Sequence, residues 1–258
     1  MYSEEYAALG DSAQKKTAFL NDNPGGYFAS AMQAGFYVGL GIMLIYTVGG
    51  LLAGQAHAKI IMGVSFGIAL SLVIMGGAEL FTGNNLVMTA GLVRKRVTLA
   101  QTLKLWLACF VGNWAGAIAL ALLFWGSGLA DGATADSIVR TSAYKMSTPL
   151  VPLFLRGLLC NVLVCLSTWC SYRCKSDAGK LIMIFWCLYC FITSGYEHGI
   201  ANMSLLTVAL LTGTDAAVSF SGYFYNILVA SLGNLAGAVF VLALPYHFVS
   251  REKVSGGE

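Results

Sequence analysis

The chain has 258 residues, of which 57% are hydrophobic and only 10% charged, with a mean hydropathy of +0.73 and a net charge of +3. Such values lie far from those of water-soluble domains and identify an integral membrane protein. The small positive excess sits in loops between apolar stretches, so it gives no sign of a nucleic-acid partner.

Residues 1–22 are polar and carry no hydrophobic core of a secretory leader, so the first apolar stretch is expected to stay in the protein. They are expected to form a short surface helix ending before Asn23-Pro24-Gly25, where turn chemistry is strong. A crossing needs about 20 mostly apolar residues. Six regions qualify, 27–52, 60–92, 105–129, 150–171, 181–212 and 220–246. With residues 1–26 taken as a cytoplasmic N-terminal segment, the inside receives Lys15, Lys16, Arg94, Lys95, Arg96, Lys104, Arg173, Lys175, Lys180, Arg251 and Lys253. Only Lys59, Arg140, Lys145 and Arg156 fall outside. The positive-inside rule therefore puts both termini in the cytoplasm of a multi-pass protein of the cell (plasma or inner) membrane, with the lipid bilayer as its surroundings.

The second and fifth regions are too long for one straight crossing, and each encloses a polar word. Gly77, Glu79 and Asn84 recur with the same spacing as Gly195, Glu197 and Asn202. Downstream, Gly112-Asn113-Trp-Ala-Gly116 is matched by Gly233-Asn234-Leu-Ala-Gly237. The chain therefore reads as two related halves, about 27–129 and 150–246, of a single membrane channel domain over 1–258. Three spans per half force the second copy to enter from the opposite side. The predicted fold class is an all-α membrane protein, six transmembrane helices in an inverted three-plus-three repeat with the second and fifth helices broken. Irregular backbone at membrane depth is tolerated where it lines a cavity, and each break exposes helix-terminal N–H groups that favour an anion.

Several residues stand out within that frame. Asn113, Asn161 and Asn234 need partners at depth and read as braces for the broken helices. Asn202 closes the second polar word. His198 is the histidine expected deep in the membrane, because His57 and His247 lie at span ends. Its imidazole is able to trade a proton with a passing anion near neutral pH, or else is satisfied as a core histidine. Glu79 and Glu197 repeat each other, which favours a role tied to the breaks: carboxylates accepting bonds from exposed backbone N–H groups, with proton relay as the alternative. Thr82, read as lying in the loop of the first break, offers either a hydroxyl to an anion or a loop-stabilising bond. No nucleophile or metal ligand set accompanies these groups, so no enzyme activity, metal or cofactor is expected. The seven cysteines, Cys187 and Cys190 included, read as soft packing residues.

Longer words carry a family likeness. Met75-Gly-Gly-Ala-Glu-Leu-Phe-Thr-Gly83 resembles the first signature of the formate/nitrite transporter family, and Gly157-Leu-Leu-Cys-Asn-Val-Leu-Val-Cys-Leu166 the second, with Ser167 where alanine is usual. Ser194-Gly-Tyr-Glu-His-Gly-Ile-Ala-Asn202 is similar to the family's broken fifth helix. The resemblance implies an aquaporin-like fold, a homopentamer with one pore per subunit, and transport of small monovalent anions of weak acids: nitrite, formate or hydrosulfide. It looks closest to the nitrite-channel branch. By position it implies Lys145 at the outer entrance, where a plain interfacial lysine is the alternative, Phe66 and Phe191 at an outer constriction, and Leu70 and Leu80 at an inner one. A bare anion in an apolar ring is heavily disfavoured, so proton coupling or passage of the neutral acid is expected. An aquaporin-like facilitator of neutral solutes is the rival, though paired Asn-Pro-Ala words are missing. A membrane redox protein would need several deep histidines.

Overall fold

The computed structural model describes residues 2–213 and 215–250, so Arg251 and Lys253 lie outside the described residues. Every regular element among them is helical. Helix α1 spans Ser3–Asp22, and α2, Pro24–Leu51, begins at once behind Asn23, whose Oδ1 accepts from Gly26 N at 2.9 Å while Pro24 occupies the first turn. The second apolar region divides into α3 (Ala58–Ser65), α4 (Gly67–Gly76) and α5 (Phe81–Val93). Helix α6, Leu99–Gly126, opens with a reciprocal capping box between Thr98 and Gln101. There follow α7 (Gly132–Met146), α8 (Leu150–Arg173), α9 (Asp177–Ser194) and α10 (Gly199–Thr212). The last crossing joins α11 (Phe220–Ala236) through a π-helical stretch, Gly237–Ala243, to α12 (Leu244–Ser250). Six helices, some assembled from these pieces, are long and apolar enough to cross a membrane.

Both expected interruptions are present, and they are built alike. Helix α4 ends with Gly77 at φ 75° and α9 with Gly195 at φ 81°, a left-handed conformation that glycine adopts without a Cβ penalty. In each case the next N–H reaches back five residues, Ala78 to Val73 O at 2.9 Å and Tyr196 to Phe191 O at 3.1 Å. That closes a Schellman-type helix end. The chain then runs extended for a few residues before α5 or α10 begins.

Small residues let the crossings meet backbone to backbone. A Cβ on Gly116 would fall on the carbonyl oxygen of Met32, and one on Gly237 on that of Leu158. The two glycines occupy the same place in the repeated word, one packing α6 on α2 and the other the last crossing on α8.

Two elements lay beyond the hydrophobicity reading. Helix α7 occupies residues between the third and fourth regions that gave no crossing signal, because its Thr, Asp, Ser and Arg positions alternate with only one buried stripe, Ala135, Ile138, Val139, Ser142 and Met146. Helix α1 is docked rather than merely lying on a surface. It buries Tyr6, Leu9, Ala13, Thr17 and Leu20, and the Tyr6 hydroxyl donates to Ala243 O at 2.9 Å, within the π-helical stretch. Burial pushes the Tyr6 phenol up to about 12, against the pull of Arg94, so it remains a donor.

Candidate functional site

The two breaks are held by asparagines. Asn113, from α6, accepts from Phe81 N at 2.9 Å and donates Nδ2 to Glu79 O and Ala31 O, both at 2.8 Å. Asn234, from α11, accepts from Gly199 N at 2.9 Å and donates Nδ2 to Glu197 O at 2.9 Å and Gly157 O at 2.7 Å. Each amide thus satisfies a carbonyl on one side of the break and an N–H on the other, which needs a group that both donates and accepts. Asn161 joins the two halves, donating to Asn234 O at 2.8 Å, to Asn85 Oδ1 at 3.2 Å and to Thr82 O at 3.3 Å.

The carboxylates do not accept the helix-terminal N–H groups, contrary to the sequence expectation. They bond side chains instead. Glu79 takes Lys16 Nζ at 2.5 Å on Oε1 and Asn84 Nδ2 at 2.8 Å on Oε2. Glu197 takes both Lys145 Nζ and Asn202 Nδ2 at 2.7 Å on Oε2. A carboxylate offers only acceptors and so is unable to hold the break's carbonyls; burial of its charge instead calls for a cation. Lysine supplies it in both halves.

His198 is 4% exposed and caps α10, its Nδ1 accepting from Ala201 N at 3.0 Å. An acceptor at Nδ1 fixes the neutral tautomer with its hydrogen on Nε2. That hydrogen points at Thr82 Oγ1, 3.0 Å away. Thr82 stands in the first turn of α5, not in the loop, so this bond ties together the helix starts of the two halves.

Around His198 lies a small apolar chamber of about 10 Å³, lined by Phe66, Leu70, Leu80, Leu188 and Phe191 among others. The Phe66 and Phe191 rings meet edge to face, centroids 5.4 Å apart. All four apolar residues singled out by resemblance, two for an outer and two for an inner constriction, line this one chamber. On one side of it opens a well of about 440 Å³ lined by Lys59, Arg140, Lys145, Arg156, Tyr196 and Glu197. Glu197 is the acid among four bases there, and Lys59, Arg140 and Arg156 form no ion pair with another described residue. On the other side a well of about 230 Å³ holds Lys16, Glu79 and Asn84 with the hydroxyl-bearing Thr168, Ser171 and Tyr172.

Lys16 was missed as a site residue. Its signal was its register: with Leu9, Ala13 and Leu20 it falls at helical spacing on the buried stripe of α1, a charge where an apolar residue belongs. Lys145 is no plain interfacial lysine, since its ammonium is seated on a carboxylate that is 2% exposed. Cys109 Sγ, 3.2 Å from Glu79 O, packs beside the first break.

Known proteins agree with this chain in sequence and shape. The family model described as formate/nitrite transporter matches residues 3–248. The nitrite transporter NirC of Escherichia coli (strain K12) is 38% identical over 243 residues, 93% of this chain and 90% of the relative. The formate channel FocA of Haemophilus influenzae is 26% identical over 253 residues, 90% of this chain and 89% of the relative. A solved FNT family ion channel superposes with TM-score 0.92 at 35% identity, covering 96% of this chain and 99% of its own. A pentameric formate channel with formate bound gives TM-score 0.75 at 25% identity over 87% of this chain and 96% of its own. The match of the family model to residues 3–248, and agreement in sequence and shape along nearly the whole length, make this chain a member of the formate/nitrite transporter family.

Proposed function

We propose that the protein conducts small monovalent anions of weak acids, nitrite or formate foremost and hydrosulfide among the others, and that they cross the throat as the neutral acid. Relatives that carry nitrite and formate support the substrate class. The observation that carries the mechanism is the apolar chamber of about 10 Å³ set between two charged wells. An ion stripped of water in an apolar ring costs on the order of tens of kcal/mol before compensation, and the rings of Phe66 and Phe191 with Leu70 and Leu80 offer none. Neutralising the anion removes that barrier.

In this reading Lys145, helped by Lys59, Arg140 and Arg156, draws the anion into its well by local field. Lys16 serves the other mouth. Glu79 and Glu197, with Asn84 and Asn202, keep each lysine charged and seated. At the waist His198 stays neutral, because an imidazolium would forfeit the bond from Ala201 N that starts α10. Its Nε2–H engages Thr82, which leaves the threonine hydroxyl proton free to turn toward a passing oxygen. The proton that neutralises the anion then comes from water in the wells. Orientation follows the basic loops, with Lys16 facing the cytoplasm and Lys145 the outside, and the matched bonds of the two breaks support the inverted-repeat, single-domain organisation. The pentameric relative supports assembly as a homopentamer.

Purified protein in liposomes tests the mechanism, with nitrite, formate and hydrosulfide fluxes measured at two pH values with and without an imposed potential. Flux should rise by about tenfold per unit of falling pH while the neutral acid is limiting, and should ignore a potential. A bare anion would instead respond to about 2.3 kcal/mol per 100 mV. Potential-driven, pH-independent flux would reject neutral-acid passage, and swelling by glycerol without anion flux would favour a neutral-solute facilitator.

A further inference from the structure

Asn226 lies on α11, outside both repeated words, and is fully buried. Its Oδ1 accepts from Asn202 Nδ2 at 2.7 Å and its Nδ2 donates to the backbone carbonyl of Lys145 at 2.9 Å. Asn202 Nδ2 also donates to Glu197 Oε2, which accepts Lys145 Nζ, both at 2.7 Å. The bonds close a ring that begins and ends on Lys145, holding its carbonyl at one end and its ammonium at the other. That carbonyl belongs to the last turn of α7, where helical partners run out; the alternative, Thr148 N, is 3.4 Å away.

The other half lacks this closure. Asn84 Nδ2 donates to Glu79 Oε2 at 2.8 Å and to the Tyr27 hydroxyl at 3.3 Å, so that series of bonds leads to α2 and not back to the helix that carries Lys16. Lys145 therefore has its backbone carbonyl and its charge tied into one ring of bonds, whereas Lys16 is held by its helix and by Glu79 separately. Lysine has three donors and Glu197 takes one, so the rest of the ammonium is available to the well that Lys145 lines. How well those donors are aimed depends on the backbone position, because a four-carbon stem is otherwise loose.

We propose that Asn226 is the positioning residue for anion entry at one mouth, acting through Lys145; this rests on the reading of Lys145 as the charge that draws the anion in. Asn226 touches no passing solute. It sets the affinity of one face of the protein and leaves the other alone.

The test uses the full chain in vesicles of uniform orientation with formate as probe, and half-saturation measured separately from the Lys145 face and the Lys16 face. Asn226→Leu is expected to raise half-saturation at the Lys145 face by about tenfold, the scale of losing one hydrogen bond of this kind. At the Lys16 face it should change by less than about twofold, which also reports that the protein is folded. Asn226→Asp loses the donor to Lys145 O and buries a second carboxylate in the ring that holds Glu197, so its loss at the Lys145 face should be at least that of Asn226→Leu. In a Lys145→Leu background either substitution should add nothing, because the group being positioned is gone. Equal losses at both faces, or the same fold-change with and without Lys145, would overturn the proposal and assign Asn226 to the scaffold. Should leucine prevent assembly, Asn226→Ser carries the same comparison. Lys145→Leu without effect at either face would instead overturn the reading of Lys145 itself.

Discussion

Replacing Asn234 by leucine, a side chain of similar size, removes three hydrogen bonds at once: from Gly199 N, and to Glu197 O and Gly157 O. Gly157 lies inside α8 and its carbonyl keeps a helical partner. Glu197 O and Gly199 N, at the break, have no such alternative. Two buried polar groups left without partners cost about 1–3 kcal/mol each, so the expected loss is roughly 2–6 kcal/mol. At about 2–4 °C per kcal/mol for a chain of this size, thermal unfolding in detergent should fall on the order of 10 °C. Asn113→Leu removes the matching set, from Phe81 N and to Glu79 O and Ala31 O, but Glu79 O keeps the Cys109 thiol at 3.2 Å, so the cost should be smaller, about 1–3 kcal/mol for the one group left unpaired. Asparagine to aspartate at either site would lose the donor and bury an unpaired carboxylate against backbone carbonyls, and should destabilise at least as much as leucine. Both leucine variants unfolding at the parent temperature would refute the assignment of these amides as the braces of the breaks, and a larger effect of Asn113→Leu than of Asn234→Leu would refute the part given to the Cys109 thiol.

Two further outcomes are expected. His198→Asn retains a capping acceptor and an N–H donor and should keep the shape of the flux profile across roughly pH 5 to 8, whereas His198→Phe, lacking both, should abolish flux; loss of the pH dependence in His198→Asn alone would mean that the imidazole itself titrates. Phe66→Ala removes one face of the edge-to-face pair at the throat and should admit bulkier weak acids such as lactate, measured as acid-driven vesicle uptake; unchanged size selection would place the limiting constriction elsewhere.

The membrane class, the crossings and the two interruptions were legible because each has a local cause: apolar length, a glycine able to turn left-handed, and a polar word too costly to bury in a straight rod. Asn113 and Asn234 were legible as braces because their words recur at matching distance from Glu79 and Glu197. The meeting of Phe66, Leu70, Leu80 and Phe191 round one chamber was legible only through family likeness, since nothing in an isolated Phe66 or Leu80 tells where its side chain packs. What stayed hidden depends on distant pairing. Lys16 counted as one more inside charge until α1 docked it on Glu79. The acceptors of the break's N–H groups went to the carboxylates in the sequence reading, because a charge is the more obvious partner for a helix end. The amides hold them because the same group must also give a proton to a carbonyl. Helix α7 was invisible to a search for apolar length, and the π-helical stretch has no composition of its own.

The throat's size also governs what else crosses. A void of about 10 Å³ is at the threshold for admitting one water, which needs roughly 10–15 Å³ by the same kind of measure. No file of linked waters fits through it, and protons hop only along such a file. If the solute crosses there as the neutral acid, as proposed, so narrow a void would also hold back protons that are not carried on a conjugate base.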